Sequence, residues 1–222
     1  VEYYNRESID LIYDKPVPIS TGNSSVKTNV GSLENYGVEV ILSSQLVNTK
    51  DLSINASLNF STENNKITEL TQEEFISGSK KWMVGRSLYD FFIETYAGVD
   101  SADGAAMWYK DILDANGDPT GQQETTKVYS EASRSYLDKK SIPDILGGFN
   151  TQIQYKNFDF SLLMNFALGG YVYDSTYAGL MSGFADIEQQ HVDTKNRWQQ
   201  PGDITDVPKL LNSQNDYNSR ST

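Results

Sequence analysis

The stretch Asp51-Leu52-Ser53-Ile54-Asn55-Ala56-Ser57-Leu58-Asn59-Phe60-Ser61-Thr62 decides the fold. Leu52, Ile54, Ala56, Leu58 and Phe60 alternate with Ser53, Asn55, Ser57, Asn59 and Ser61, so one face is apolar and the other polar and uncharged. A period of two belongs to an extended strand and to no helix. Its faces meet different surroundings, hydrocarbon or core on one side and water or a polar lumen on the other. Before it, Val38, Val40, Leu42 and Leu46 alternate less cleanly with Glu39, Ile41, Ser43 and Gln45. Val47-Asn48-Thr49-Lys50 is short enough for a hairpin connection, which predicts two antiparallel strands over about residues 34–63.

The device recurs downstream. Phe149, Thr151, Ile153 and Tyr155 alternate with Asn150, Gln152, Gln154 and Lys156, and a tight turn is expected around Asn157. On the return strand Phe158, Phe160, Leu162, Met164, Phe166 and Leu168 oppose Asp159, Ser161, Leu163, Asn165 and Ala167, giving a hairpin over about residues 147–168. Tyr155, Phe158 and Phe160 cluster at the turn, where a membrane barrel carries its interfacial aromatic girdle. With a further strand near Val1 to Ile12, the chain holds about five strands of membrane length, too few to close a large barrel alone.

Two long connections complete the pattern, about residues 64–146 and about residues 169–222. The first is rich in charge and turn signals, such as Ser101-Ala102-Asp103-Gly104 and Asp114-Ala115-Asn116-Gly117-Asp118. Within it, Leu88-Tyr89-Asp90-Phe91-Phe92-Ile93 and Ala106-Met107-Trp108-Tyr109 read as further short strands. The second carries Pro201-Gly202-Asp203 and a loop-like tail, Asn215 to Thr222. Long connections at one end and tight turns at the other are the asymmetry of outer-membrane barrels, whose short turns face the periplasm. The fold class is therefore all-β, an antiparallel meander forming part of a transmembrane barrel. A soluble β-sandwich that binds carbohydrate is the alternative compatible with the same alternation.

Composition removes several functions. The chain has 222 residues, and 18 basic against 30 acidic side chains leave a net charge of −12, which argues against a nucleic-acid partner. It has no cysteine and one histidine, His191, so a disulfide framework, a thiol nucleophile and a multi-histidine metal site are excluded. No apolar run reaches the length of a membrane helix, which leaves membrane barrels untouched. The chain starts at Val1 without a signal-peptide pattern and reads as a segment of something longer.

Candidate chemistry is sparse. Asp114-x-Asn116-Gly117-Asp118 opens like a calcium loop, yet the twelfth position is Thr125 where a bidentate glutamate is needed, so no EF-hand forms and a hairpin turn is expected. Glu73-Glu74, Asp186 with Glu188, and Asp203 with Asp206 are carboxylate pairs that a glycosidase would need across a sugar, but they sit in loop-like stretches. His191 with Asp193 lacks a Gly-x-Ser-x-Gly nucleophile elbow. No cofactor, metal site or enzymatic activity is expected. Trp82, Trp108, Tyr109, Tyr171, Tyr173 and Trp198 are the residues expected to contact a ligand or partner, with packing among the loops as the competing role. Asn55, Asn59, Asn150, Gln152 and Gln154 are expected to face the lumen. Leu52, Ile54, Leu58, Ile153, Phe160 and Leu162 are expected to face lipid.

Several further stretches, in order, resemble SusC/RagA-type TonB-linked outer-membrane receptors. They are Asn29-Val30-Gly31-Ser32-Leu33-Glu34-Asn35-Tyr36-Gly37, Gly85-Arg86-Ser87-Leu88-Tyr89, Tyr96-Ala97-Gly98-Val99-Asp100 and Ile142-Pro143-Asp144. Leu168-Gly169-Gly170-Tyr171, Arg197-Trp198-Gln199-Gln200-Pro201-Gly202-Asp203 and Thr205-Asp206-Val207-Pro208 continue the match. The resemblance covers nearly the whole chain. It implies the C-terminal part of a plugged barrel in a Gram-negative outer membrane, importing glycans or peptides. It also implies a SusD-like surface lipoprotein as lid and energy delivered by the TonB complex through an N-terminal part. The plug and the TonB-contacting segment have no counterpart among these residues.

Overall fold

A computed structural model describes residues 1–22, 24–29, 31–181 and 189–210. The strands that open the chain are β1 (Glu2–Ser8), β2 (Ile12–Pro16), β3 (Ser25–Asn29), β4 (Gly31–Asn48) and β5 (Leu52–Thr62). They are followed by β6 (Asn64–Leu70), β7 (Glu74–Ser77), β8 (Lys80–Met83), β9 (Asp90–Glu94) and β10 (Tyr96–Val99). The last are β11 (Ala106–Leu113), β12 (Pro119–Thr126), β13 (Arg134–Lys140), β14 (Ile145–Tyr155) and β15 (Phe158–Leu168), with one short helix, α1 (Ser175–Leu180). Among the described residues no helix is long and apolar enough to cross a membrane.

The chain divides into two units, Val1–Phe91 with Asp138–Val172, and Phe92–Leu137 with Tyr173–Thr222. In the first, the main sheet runs β1-β4-β5-β14-β15, with β6 also paired to β4. Every pairing in it is antiparallel. Both sequence hairpins are present, and β5 is hydrogen-bonded directly to β14, so Thr62 lies opposite Ile145. All of residues 63–144 is therefore an excursion between two neighbouring strands. The β1–β4 and β5–β14 connections leave from one end of the sheet. The tight turns β4–β5 and β14–β15 lie at the other, linked by a bond from the Lys156 N–H to the Asp51 carbonyl at 2.8 Å.

Two expectations about boundaries are corrected. The strand expected near Val1 to Ile12 is broken: Asp10 takes a φ of 55°, a left-handed conformation that Asp tolerates better than most residues, and β2 then pairs with β3 instead of the main sheet. The first hairpin begins at Gly31 and its strand continues to Asn48, with a bulge after Gln45 that makes Val47, not Leu46, the partner of Ile54. A bulge adds one unpaired residue, so the alternation read through Leu46 loses its phase there. The connection at about residues 64–146 contains β6 to β13 and is a folded region.

Register fixes the two faces of the main sheet, because directly opposed residues in an antiparallel pair project to the same side. Leu42 opposes Leu58, which opposes Phe149, which opposes Met164. Ile54 opposes Ile153, which opposes Phe160. On the reverse side Ser57 opposes Ser43 and Asn150, and Asn55 opposes Gln45 and Gln152. The sequence alternation thus becomes one mainly apolar surface, interrupted by Ser44 and Thr151, and one mainly of amides and hydroxyls, interrupted by Ile41, Leu146 and Leu163.

Burial lies elsewhere. Among the described residues no apolar side chain of β5, β14 or β15 is buried, and Leu42 and Phe160 are each 56% exposed. A sandwich would cover that apolar face with a second sheet. The buried side chains of this unit are Leu33, Ile67 and Phe91, with Ser32 and Asn65. They sit where β4 outruns the rest of the sheet. Its 18 residues extend about 60 Å at ~3.3 Å per residue, well beyond a hydrocarbon core of ~30 Å even when tilted. Gly37 marks the crossing, since a Cβ there would stand 2.0 Å from the Thr62 carbonyl oxygen.

The second unit is built on the three-stranded β10-β11-β12 sheet. Trp108 is its centre, fully enclosed, with the Tyr96 ring at 6.0 Å and the Tyr129 ring at 5.3 Å in edge-on contact. Ala178 of α1 and Met181 just beyond it are the other buried apolar residues of the unit among those described. Asp174 caps α1 by accepting the Tyr177 N–H at 2.8 Å.

Candidate functional site

The polar face of the main sheet carries Asn55, Asn59, Asn150, Gln152 and Gln154 together, and the opposite face carries Leu52, Ile54, Leu58, Ile153, Phe160 and Leu162. Near the bulge, the polar side chains line an open hollow of about 350 Å³ with Ser43, Gln45, Asn55, Ser57, Asn150 and Gln152 at its wall. None of these groups ionises as an acid or base at neutral pH, so the surface offers hydrogen bonds without charge. Ser43 and Ser57 belong to this face but were not singled out in sequence; their parity with Asn55 and Gln45 is the signal that locates them.

The six aromatic candidates separate into different environments. Trp82 and Tyr171 belong to the first unit. Trp82 is half-buried against Tyr13, ring centroids 4.8 Å apart, while the Tyr13 hydroxyl lies 2.6 Å from the Ser77 hydroxyl. Tyr171 is 51% exposed and has the Lys139 ammonium 4.8 Å from its ring centroid. Trp108, Tyr109, Tyr173 and Trp198 belong to the second unit. Tyr109 and Tyr173 are exposed, but Trp108 has no exposed surface, so its role is to pack the unit and it cannot touch a ligand in this state. Tyr96 and Tyr129, not singled out in sequence, complete that packing. Burial, with the nearby Asp206 carboxylate, pushes the Tyr96 phenol well above its ordinary range, and its hydroxyl donates to the Asp206 carbonyl at 3.0 Å.

The charged candidates resolve into turn chemistry. The Asp114 carboxylate accepts the N–H groups of Asp118 at 3.0 Å and Asn116 at 2.8 Å, and those backbone donors hold its pKa below the usual carboxylate range. It organises the β11–β12 turn as an Asx motif. Among the described residues no cluster of His, Asp and Glu is arranged to hold a metal ion. Asp203 accepts the N–H groups of Gln199 and Gln200, each at 3.0 Å, and Glu74 pairs with Lys81. The His191 Nδ1 accepts the Asp193 N–H at 3.2 Å, and the Tyr177 hydroxyl donates to the Asp193 carboxylate at 3.0 Å. Asp186, Glu188 and the tail from Asn215 lie outside the described residues.

One ion pair carries a pH-dependence. Burial of Glu94 works against its charge, but its own backbone N–H, Arg134 (Nε to Oε1, 3.0 Å) and Tyr129 together hold its carboxyl below the ordinary glutamate range. Its stabilising contribution is therefore complete above the unfolded-state value and is lost as pH falls through the lower, folded-state value. Hydrogen-exchange protection across β9 and β13, corrected for the intrinsic pH dependence of amide exchange, should fall on acidification in the parent protein. Glu94→Gln should be less protected at neutral pH and should lack this component of the acid dependence; a parallel acid profile for both proteins would show that the pair contributes nothing.

The motifs that carry the sequence resemblance are joints between segments. Asn65 donates to Asn35 at 2.6 Å and accepts the Leu88 N–H at 2.9 Å, while Ile67 exchanges backbone bonds with Gly85 and Arg86. Residues 85–89 are thereby docked on β6 and, through it, on β4. The Asp144 N–H bonds the Leu168 carbonyl, and Gly169 lies so close to Asp144 that a Cβ would meet its carboxylate at 2.2 Å. In the second unit the Trp198 Nε1 donates to the Ser101 carbonyl at 3.1 Å.

No family model matches the chain. It is 29% identical to TonB-dependent receptor P3 of Formosa agariphila over 94% of its own length and 22% of that protein's. It is likewise 29% identical to TonB-dependent receptor SusC of Bacteroides thetaiotaomicron, over 78% of its length and 18% of the relative's. Among solved structures, the RagAB peptide transporter superimposes with a TM-score of 0.82 at 28% identity, covering 95% of this chain and 24% of that one. The RagAB importer in its closed-closed state gives 0.80. The chain thus spans about a fifth to a quarter of the length of the proteins it matches. In sequence and in fold alike, the chain is similar to part of the SusC/RagA-type TonB-dependent receptors.

Proposed function

We propose that this chain forms part of the wall and outer loops of a Gram-negative outer-membrane receptor that imports oligosaccharides or peptides through a plugged barrel. The observation that carries the reading is the register of the main sheet, which places an exposed apolar face back to back with a neutral polar one. A membrane barrel uses such a sheet unchanged, lipid outside and lumen inside. A water-soluble monomer would leave a large apolar patch uncovered. On this reading Leu52, Ile54, Leu58, Ile153, Phe160 and Leu162 face lipid, and Asn55, Asn59, Asn150, Gln152 and Gln154 face the lumen or the plug.

The protein does no covalent chemistry on its cargo. Energy arrives from the TonB complex through a part of the receptor beyond these residues, and a SusD-like lipoprotein caps the outer side. Tyr109, Tyr171 and Tyr173 are the exposed aromatics able to meet cargo or lid. Their flat faces suit both sugar C–H surfaces and peptide side chains.

The test is made on the full-length receptor in its native cells. Deleting the gene should abolish uptake of one labelled cargo class, oligosaccharides of defined size or short peptides, and restoring it should return that uptake. The receptor should fractionate with the outer membrane. Unchanged uptake of both classes, or recovery of the receptor in the soluble fraction, would overturn the proposal.

A further inference from the structure

The second unit draws on two separate parts of the chain, residues 92–137 from the excursion between β5 and β14, and residues from 173 onward that follow β15. A strap at residues 197–209 fastens the later part to the earlier. The strap is braced internally: the Trp198 N–H bonds the Val207 carbonyl at 2.9 Å, the Thr205 hydroxyl bonds the Asn196 carbonyl at 2.6 Å, and Asp203 gathers two N–H groups. It then reaches out through four bonds. Trp198 Nε1 and the Gly202 N–H both donate to the Ser101 carbonyl, the Lys209 N–H donates to the Gly104 carbonyl at 2.9 Å, and the Tyr96 hydroxyl donates to the Asp206 carbonyl.

The indole also packs against the turn at Gly104. A Cβ on Gly104 would lie 2.4 Å from the Trp198 ring, and the residue holds a φ of +72°, where a side chain is strained regardless of space. The turn itself is held open for this contact. Asp100 and Asp103 each accept a backbone N–H within it, and both pair with Lys127 on the strap-free side of the sequence. Two chain segments far apart in sequence therefore meet through an indole that packs flat against a glycine and donates to the Ser101 carbonyl beside it.

We propose that Trp198 is the clasp that turns these two excursions into one body, and so a positioning residue for the outer surface of the second unit. The earlier segment carries its own three-stranded sheet, whereas the turn at residues 100–105 and the chain after α1 are largely irregular and have the freedom that loops have unless they are fastened. Joined at Trp198 and Gly104, neither moves without the other.

The experiment uses the full-length receptor in a cysteine-free background, reconstituted in bilayers, with a spin label at one of two positions. Ile204, 97% exposed at the strap's tip, reports the strap, and the exposed Ala102 reports the turn it grips. In the parent protein both labels should give slow-motion spectra. Trp198→Ala should raise the mobility of both labels severalfold, and Gly104→Ala, which expels the ring without removing it, should do the same. Trp198→Phe keeps most of the ring and should restore much of the slow component, a rescue that a general loss of folding would not show. Should Trp198→Ala fail to assemble, Gly104→Ala and Trp198→Phe still decide the matter. A label at Ala102 that keeps its parent spectrum in Trp198→Ala or Gly104→Ala would overturn the proposal, because the strap would then hang from a turn that is rigid without it. A lowered maximal uptake rate in the same variants is expected as well; that arm rests on the transport reading above, whereas label mobility does not, so the two can fail separately.

Discussion

Arginine in place of Leu58 is expected to cost the assembled barrel about 2–4 kcal/mol, while arginine in place of its neighbour Asn59 is expected to leave barrel stability nearly unchanged. The two positions are consecutive in β5 and project to opposite faces. Leu58 stands in the row Leu42, Leu58, Phe149, Met164, and Asn59 stands between Ile41 and Gly148. A guanidinium on the lipid side near the middle of the strand has no water and no polar partner, and the penalty is greatest at the bilayer midplane. On the other side the same group meets amides and hydroxyls. Urea titration of the full-length receptor in bilayers measures both costs. Equal penalties at the two positions would show that the apolar face is not the lipid face.

Trp108→Ala is expected to remove about 3–5 kcal/mol from the second unit, the range for deleting a large buried aromatic. The fully enclosed indole is the piece around which Tyr96 and Tyr129 are arranged, so its loss leaves a cavity between the two rings. Hydrogen exchange reads the effect by region. Protection should collapse in β10, β11 and β12 and persist in β5 and β14, whose backbone bonds belong to a different sheet. Trp82→Ala provides the comparison, since Trp82 is only half-buried and its removal should be felt less. Uniform loss of protection over the whole chain in Trp108→Ala would mean that the units do not unfold separately.

The main sheet was legible because a two-residue period leaves little choice. Once Leu52 to Phe60 and Phe149 to Tyr155 are strands, their faces follow from parity, and the register confirms that both sets share the same sides. That β5 and β14 are partners was not legible, because nothing local in either strand records a neighbour so distant in the chain. The bulge after Gln45 was hidden for a related reason: Leu46 and Val47 are both apolar, so the pattern continues on paper although the pairing has shifted by one residue. Aromatics in the long connections posed a different problem. Trp108 and Tyr109 are adjacent and chemically similar, yet one is enclosed and the other exposed, a distinction made by the fold of the surrounding segment. The family-like motifs read in the sequence as landmarks; the structure shows them as joints, with Asn35 bonded to Asn65, Trp198 seated on Gly104 and Gly169 pressed against Asp144.

The direct pairing of β5 with β14 has a consequence for how such a receptor diversifies. With Thr62 and Ile145 paired across a completed seam, the sheet is continuous behind the excursion and takes no geometric instruction from its length. Lengthening a flexible insert adds only about 0.6 kcal/mol of closure entropy per doubling. Evolution can therefore exchange, enlarge or trim what lies between β6, which stays paired to β4, and β14 as a cassette while the strands keep their register. Specificities could be grafted between relatives at this seam, with residues 70 and 145 as the natural splice points.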